Sequence, residues 1–223
     1  MTQKVIPAIL TSDPEDLRAK LQLFKAESEW MHIDIMDGKF VSNVSVSVRD
    51  LLAPEGRGKD FRLEIHLMVQ NPQAYLKDCL ATRDPAKRDK DRGVGRIIVH
   101  QEATGDIRKA LREMKAYGLE VGIALNPATP INVLALHAND VASVLIMGVT
   151  PGLQGQEFMP SVLEKIPAIK KDFPHLQIGV DGGVGEENIS TIFQAGADYA
   201  VVGSKIFATQ DPVEAFKKLE EML

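Results

Sequence analysis

The sequence is poor in cysteine, with Cys79 as the single thiol among 223 residues. One cysteine cannot form an intramolecular disulfide, so the sequence excludes the disulfide-stapled scaffolds of small secreted proteins and favours a reducing cytoplasm. Cys79 lies in a predicted helix and belongs to no paired catalytic motif. We therefore expect a buried thiol rather than a nucleophile.

Long apolar runs are also missing. No stretch approaches the roughly 18 consecutive apolar residues of a membrane-spanning helix. The apolar run near the start is interrupted by Pro7, which makes it too short for a signal peptide. We expect neither a membrane segment nor a membrane partner.

Positive charge is not in excess, because 26 lysines and arginines stand against 31 acidic residues and give a net charge of -5. This balance provides no long-range attraction to nucleic acid or anionic lipid, so we expect no nucleic-acid partner. The most highly charged stretch, residues 83–92, is typical of a solvated loop. The hydrophobic fraction of 44% and the charged fraction of 26% are those of an ordinary globular protein.

Short apolar, β-branched runs alternate with longer amphipathic runs along the whole chain. The runs that predict strands are 5–10, 30–35, 63–68, 96–100, 119–125, 143–147, 177–181 and 199–202. The runs that predict helices are 14–27, 72–80, 107–117, 131–138, 160–171, 186–195 and 211–223. Such alternation is typical of βαβ units and a parallel sheet.

Eight predicted strands, seven of them followed by a predicted helix, in a chain of this length predict an α/β protein, a single (β/α)8 TIM barrel over residues 1–223. An open, doubly wound sheet is the alternative. That alternative is weakened because no Gly-x-Gly-x-x-Gly motif follows the first predicted strand. In the barrel we expect the active site at the carboxyl ends of the strands.

Two histidines and two aspartates occupy such strand ends. His32 and Asp34 are two residues apart and so face the same side of the second predicted strand. His66 and Asp181 are near the ends of the third and seventh predicted strands. Taken singly, each could be a core histidine or a turn aspartate. Together they form a suitable ligand set for one divalent transition metal ion.

Glycines follow the sixth, seventh and eighth predicted strands, and methionines lie at or just past three strand ends. Backbone N–H groups of glycine turns in these loops can bind a phosphate group, although the same glycines could serve only tight loop geometry. The methionines could cover a reacting centre or fill the core. The positions concerned are Met36, Met68, Met147, Gly152, Gly155, Gly182, Gly183, Gly203 and Ser204.

Several segments in their order along the chain resemble the ribulose-phosphate 3-epimerase family. They are MHIDIMDG at 31–38, HLMV at 66–69, LNPATP at 125–130, PG at 151–152, GQ at 155–156, VDGG at 180–183, GAD at 196–198 and GS at 203–204. The resemblance implies that His32, Asp34, His66 and Asp181 are metal ligands. It also implies that Asp34 and Asp181 are the catalytic acid and base. By the same resemblance, the substrate pocket is lined by Met36, Met68 and Met147, and the phosphate group is bound at Gly155, Gly182, Gly183, Gly203 and Ser204.

The same resemblance implies an isomerase of the pentose phosphate pathway. Such an enzyme interconverts D-ribulose 5-phosphate and D-xylulose 5-phosphate through proton transfer at C3 by two carboxylates and a metal-stabilised enediolate. The family metal is Zn²⁺ or Fe²⁺, with Mn²⁺ and Co²⁺ as further possibilities, at one ion per chain. Relatives form dimers or larger assemblies, so we expect a cytoplasmic homo-oligomer that binds a small sugar phosphate.

Several positions depart from the family pattern, and three of them bear on the choice of substrate. Ala8 stands where the family has a serine that touches substrate, and Gly148 and Thr150 differ in the loop after the sixth predicted strand. These changes leave open a 3-epimerase of another ketose phosphate, such as allulose 6-phosphate, or a sugar-phosphate-binding barrel without activity. A related decarboxylase or aldolase is disfavoured, because Met36 replaces the lysine of the Asp-x-Lys-x-x-Asp segment.

Overall fold

The computed structural model describes residues 3–52, 62–81, 93–152 and 155–223. The charged stretch at 83–92 lies outside the described residues. The strands are β1 (Lys4–Ile9), β2 (Trp30–Met36), β3 (Arg62–Met68), β4 (Gly93–His100), β5 (Glu120–Leu125), β6 (Ser143–Met147), β7 (Gln177–Asp181) and β8 (Tyr199–Val202).

All eight strands pair in parallel in chain order, and β8 pairs with β1 to close the barrel. The closed barrel confirms the predicted TIM-barrel fold and excludes the open sheet. The described α-helices are α1 (Pro14–Leu23), α2 (Leu76–Ala81), α3 (Ile107–Ala116), α4 (Lys165–Asp172), α5 (Ile189–Gln194), α6 (Ser204–Phe207) and α7 (Pro212–Glu220). Short 3-10 helices cover Val48–Leu52, Pro72–Tyr75, Ile131–Leu136 and Pro160–Glu164.

Helix starts follow from local capping chemistry. The Asp13 carboxylate accepts the backbone N–H of Glu15 at 2.8 Å at the start of α1, and Asp211 accepts that of Glu214 at 3.0 Å at the start of α7. Each helix has a proline at its first position. These side chains satisfy N–H groups that have no partner inside the helix, and they fix where the two helices begin.

Side chains of β2 alternate between two environments. Met31, Ile33 and Ile35 belong to the large cluster between the sheet and the helices, whereas His32 and Asp34 contact polar groups of other barrel strands. A second, smaller cluster fills the barrel interior with Ile6, Ala8, Trp30, Ile98, Ala124, Leu145, Met147, Tyr199 and Val201. The polar side chains of β2 are thus directed to the barrel axis by the two-residue period of the strand.

Cys79 is fully buried on α2, as the sequence predicts. Burial raises the pKa of its thiol to about 12. Within the described ranges, no helix combines the length and the hydrophobicity that are needed to cross a bilayer.

Candidate metal centre and substrate pocket

Three of the four predicted metal ligands come from adjacent strands. His32 and Asp34 lie on β2, and strand pairing places Asp34 opposite His66 on β3. Asp181 is the last residue of β7, and closure of the barrel brings it across to the other three. One donor atom from each of the four side chains lies within 4.8 Å of all the others.

The separations between these donor atoms fit a shared cation. His66 Nδ1 lies 3.0 Å from Asp34 Oδ1 and 3.4 Å from Asp181 Oδ2. His32 Nε2 lies 3.2 Å from Asp34 Oδ1 and 3.3 Å from His66 Nδ1. Tetrahedral ligands at metal bonds of about 2.0–2.2 Å are themselves about 3.3–3.6 Å apart. Two imidazoles with two carboxylates are donors that suit Zn²⁺ or Fe²⁺ better than Mg²⁺ or Ca²⁺.

The electrostatics of the cluster also favour a cation. Burial by itself would lower the pKa of His32, but hydrogen bonds with Asp34 and Glu64 raise that pKa well above its ordinary value. His66 is also buried, and its pKa is raised by Asp181 and Asp34. Burial would raise the pKa of Asp34, yet contacts with the two imidazoles lower it. The aspartate is therefore ionised at neutral pH.

A buried carboxylate orients His32. His32 Nδ1 lies 2.6 Å from Glu64 Oε1, and Glu64 is fully buried. Arg96 Nη1 donates to Glu64 Oε2 at 2.8 Å, and Arg96 Nη2 donates to Gln177 Oε1 at 2.7 Å. Because the Glu64 carboxylate accepts a hydrogen bond from Nδ1–H of His32, the proton of the neutral ring is held on Nδ1. The lone pair on Nε2 can then ligate a metal ion.

Glu64 and Arg96 are buried charged residues behind His32 that the sequence did not lead us to expect in the site. Each is a charged residue inside a predicted buried strand, and Glu64 lies on the same strand face as His66. Charged side chains are almost never fully buried unless they are paired. The signal in the sequence was an acidic residue and a basic residue at inward-facing positions of two neighbouring strands, β3 and β4. Such a pair predicts a buried ion pair.

All nine residues that the sequence predicts as substrate contacts line one cavity. That cavity is also lined by Asp34 and Asp181, so the two carboxylates and the predicted phosphate loops share one space. The nine are Met36, Met68, Met147, Gly152, Gly155, Gly182, Gly183, Gly203 and Ser204. Their individual roles remain predictions.

Of Ala8, Gly148 and Thr150, the departures from the family pattern that raise the question of substrate, Ala8 lines the cavity. Gly148 has a packing reason instead. A Cβ at this position would lie 2.4 Å from the carbonyl oxygen of Gly182 and 2.6 Å from the ring of Phe158, so a larger residue requires one of these neighbours to shift. Thr150 is exposed. Ala8 is therefore the departure that bears most directly on substrate choice.

Loops from opposite sides of the barrel meet at the cavity mouth. The Asn43 side chain, in the loop after β2, donates from Nδ2 to the carbonyl oxygen of Gly152 at 2.8 Å. Gly152 lies in the loop after β6 with a φ of +121°, and a Cβ there would lie 3.1 Å from Val41 Cβ. A glycine at position 152 therefore permits both the backbone conformation and the close approach of the two loops.

Comparison with known proteins agrees with this geometry. A sequence model of the Ribulose-phosphate 3 epimerase family matches residues 4–207. The chain is 34% identical to the cytoplasmic isoform of ribulose-phosphate 3-epimerase from Oryza sativa subsp. japonica, over 98% of this chain and 93% of the relative. It is 33% identical to ribulose-phosphate 3-epimerase from Bacillus subtilis, over 97% of each.

Solved structures share the fold at much lower identity. 3-Hexulose-6-phosphate synthase from Salmonella typhimurium superposes with a TM-score of 0.71 at 14% identity, over 99% of this chain and 98% of the other. Orotidine 5'-phosphate decarboxylase from Pyrococcus horikoshii OT3 superposes with a TM-score of 0.64 at 16% identity, over 98% of each chain. These likenesses support the barrel architecture, whereas the matches over nearly the full sequence show that the chain belongs to the ribulose-phosphate 3-epimerase family of enzymes.

Proposed function

We propose that the protein interconverts D-ribulose 5-phosphate and D-xylulose 5-phosphate by inverting the configuration at C3. The observation that carries this proposal is that two carboxylates, Asp34 and Asp181, line one cavity beside two buried imidazoles. The relatives named above are 3-epimerases of ribulose phosphate. An inversion needs a proton acceptor and a proton donor at one carbon, and two carboxyl groups in one cavity can serve as the pair.

His32, Asp34, His66 and Asp181 would hold one divalent ion per chain, Zn²⁺ or Fe²⁺ first and Mn²⁺ or Co²⁺ as alternatives. When bound, the ion supplies positive charge for the oxygens of the enediolate that forms when C3 loses its proton. The two imidazole ligands favour a transition metal ion, since Mg²⁺ and Ca²⁺ prefer oxygen donors.

Asp34 and Asp181 are the proposed acid and base. They project from β2 and β7, which are separate parts of the barrel wall. One carboxylate removes the C3 proton, and the protonated partner delivers its own proton to the opposite face of the planar enediolate. The two roles exchange with the direction of the reaction, because each product is the other direction's substrate.

The remaining cavity residues serve binding and orientation in this proposal. Met36, Met68 and Met147 present polarisable sulfur to the reacting carbons. The phosphate group is assigned to the N–H groups of Gly155, Gly182, Gly183, Gly203 and Ser204, with Gly152 in the closing loop. Since the phosphate is remote from C3, its binding energy can orient the substrate without altering the chemical step.

The wider setting belongs to the same proposal. Residues 1–223 would act as one barrel domain, in the cytoplasm, within the pentose phosphate pathway and as a homo-oligomer. The support for location is that one relative is a cytoplasmic isoform. Size-exclusion chromatography with light scattering tests the oligomeric state.

A second candidate is 3-epimerisation of another ketose phosphate, such as allulose 6-phosphate. It is favoured by Ala8, which lines the cavity where the family has a serine. An alanine at this position leaves room and removes a hydroxyl partner. The variant Ala8→Ser would then shift the preference toward the five-carbon substrate.

A coupled assay on metal-loaded protein separates these possibilities. Ribulose 5-phosphate, allulose 6-phosphate and unphosphorylated ribulose are supplied in turn, and product is detected with an enzyme specific for each epimer. We expect turnover of ribulose 5-phosphate to exceed that of the other two. Higher kcat/KM for allulose 6-phosphate would establish the second candidate, and sugar-phosphate binding without any turnover would contradict both.

A further inference from the structure

A third buried histidine lies directly behind His66. His66 Nε2, the ring nitrogen that points away from the metal cluster, is 2.9 Å from Nε2 of His100. The other nitrogen of His100, Nδ1, is 3.2 Å from Glu102 Oε2. Both imidazoles are fully buried at the end of β3 and β4. The three side chains form a continuous chain from the metal cluster to Glu102.

Glu102 is held in a fixed orientation by hydrogen bonds to Oε1, the carboxylate oxygen that does not face His100. Its Oε1 accepts the backbone N–H of Asn126 at 2.9 Å and the hydroxyl of Thr129. Burial would raise the pKa of Glu102, but hydrogen bonds from His100, Thr129 and Asn126 outweigh burial and lower it to about 2. Glu102 is therefore a carboxylate, which accepts hydrogen bonds and donates none.

The carboxylate dictates where the next two imidazoles hold their protons. A carboxylate oxygen only accepts hydrogen bonds, so the 3.2 Å contact with Glu102 requires a proton on Nδ1 of His100. A neutral imidazole has one ring proton, so Nε2 of His100 then has a lone pair. The Nε2 lone pair accepts a hydrogen bond from Nε2–H of His66. In a neutral His66, Nδ1 is then unprotonated, and this is the atom that faces Asp34 and Asp181.

We propose that Glu102 and His100 are positioning residues that hold His66 in the tautomer required to ligate a metal ion through Nδ1. The inference rests on the metal site of the proposed function, and it adds to that site two residues that do not contact the metal ion themselves. His32 is oriented directly by a carboxylate, Glu64. His66 is oriented by a carboxylate acting through a second imidazole.

One isosteric substitution reverses this chain of hydrogen bonds. In Glu102→Gln, the amide oxygen takes the Oε1 position, because the donors of Asn126 and Thr129 require an acceptor there. The amide NH2 then faces His100 Nδ1 and donates to it. His100 shifts its proton to Nε2 and donates to Nε2 of His66, which places the His66 proton on Nδ1. That proton occupies the position where the metal ion would bind.

The test measures metal binding and tautomers without substrate. Zn²⁺ affinity is measured by competition with a chromophoric chelator. Ring ¹⁵N NMR on metal-free protein at alkaline pH reports the tautomers of His66 and His100. We expect Glu102→Gln to bind Zn²⁺ about 10–100-fold more weakly than wild type, the usual range for loss of such an outer partner. We also expect both tautomers to be reversed, and Glu102→Asp, which keeps the carboxylate, to restore the wild-type tautomers.

The matched control is Glu113→Gln. Glu113 lies on α3 and accepts a hydrogen bond from the Gln73 side chain at 2.8 Å, so this variant removes the same charge without touching His100. We expect its Zn²⁺ affinity to equal that of wild type. If Glu102→Gln does not fold, His100→Leu replaces it, because leucine removes the acceptor for Nε2–H of His66 and leaves its tautomer unfixed.

Two results would overturn the inference. One is Zn²⁺ affinity within about twofold of wild type in the folded variant, well short of the expected loss. The other is unchanged His66 and His100 tautomers in Glu102→Gln. A wild-type protein that binds Zn²⁺ but turns over no ketose phosphate contradicts the proposed reaction alone and leaves this inference standing.

Discussion

Replacement of Glu64 by glutamine is the perturbation whose size follows most directly from the structure. Glu64 is fully buried between His32 and Arg96. Burial would raise its pKa, but Arg96 and then His32 lower the pKa from 4.5 to about 2. Measured from the pKa of about 4.3 of an unfolded glutamate, a folded pKa of about 2 corresponds to about 3 kcal/mol of folding free energy at about 1.4 kcal/mol per pKa unit.

The pH window follows from the sign of the shift. A carboxyl group with a lowered pKa in the folded state stabilises the fold fully above its unfolded pKa of about 4.3. The contribution is lost as the pH falls through the folded pKa of about 2. We therefore expect metal-free Glu64→Gln to be about 3 kcal/mol less stable than wild type at pH 7, and the difference to shrink below about pH 4.

Urea unfolding of the metal-free protein from pH 7 to pH 3 measures this difference. The expected loss is at the lower end of the about 3–5 kcal/mol for a broken buried ion pair, because Arg96 keeps Glu120 as a partner. Glu27→Gln is the matched control, since Glu27 pairs with Lys217 at 3.0 Å on the surface, where ion pairs contribute little to stability. The prediction is wrong if Glu64→Gln lowers the free energy of unfolding by less than about 1 kcal/mol at pH 7. It is also wrong if the loss of unfolding free energy stays constant down to pH 3.

Two further predictions concern the barrel interior and its surroundings. Because burial raises the pKa of Cys79 to about 12, only about one thiol in ten thousand is ionised at pH 8, and a thiol reagent should modify native protein far more slowly than urea-unfolded protein. Equal rates in the two states would contradict the buried position. Gly179→Ala places a Cβ 2.3 Å from Tyr199 Cζ, so overpacking should cost about 1–3 kcal/mol or more. An unchanged urea midpoint would show that the interior relaxes freely.

The fold could be predicted because two sequence patterns agree along the whole chain. Eight short apolar runs alternate with amphipathic runs, and each predicted strand corresponds to an observed strand with ends shifted by three residues or fewer. The helices were less well predicted. Residues 131–136 form a 3-10 helix rather than an α-helix, and the four-residue α6 is too short to show a helical period.

The candidate site could be predicted in part. His32 and Asp34 share a strand face because their spacing of two residues matches the strand period. The partners of these residues could not be read from spacing, because they depend on the register between strands. The register shifts at Leu63 and Glu64 in the pairing of β3 with β4. Glu64 was overlooked because its position was assigned only to a buried apolar strand.

The proposal that two carboxylates act on one substrate carbon is tested most directly by hydrogen exchange at C3. Ribulose 5-phosphate is converted by metal-loaded protein in D2O, and the xylulose 5-phosphate formed is analysed by mass spectrometry and NMR. We expect deuterium at C3 of the product, because the base that removes the proton differs from the acid that delivers one from the other face. Complete retention of the substrate hydrogen at C3 would contradict it.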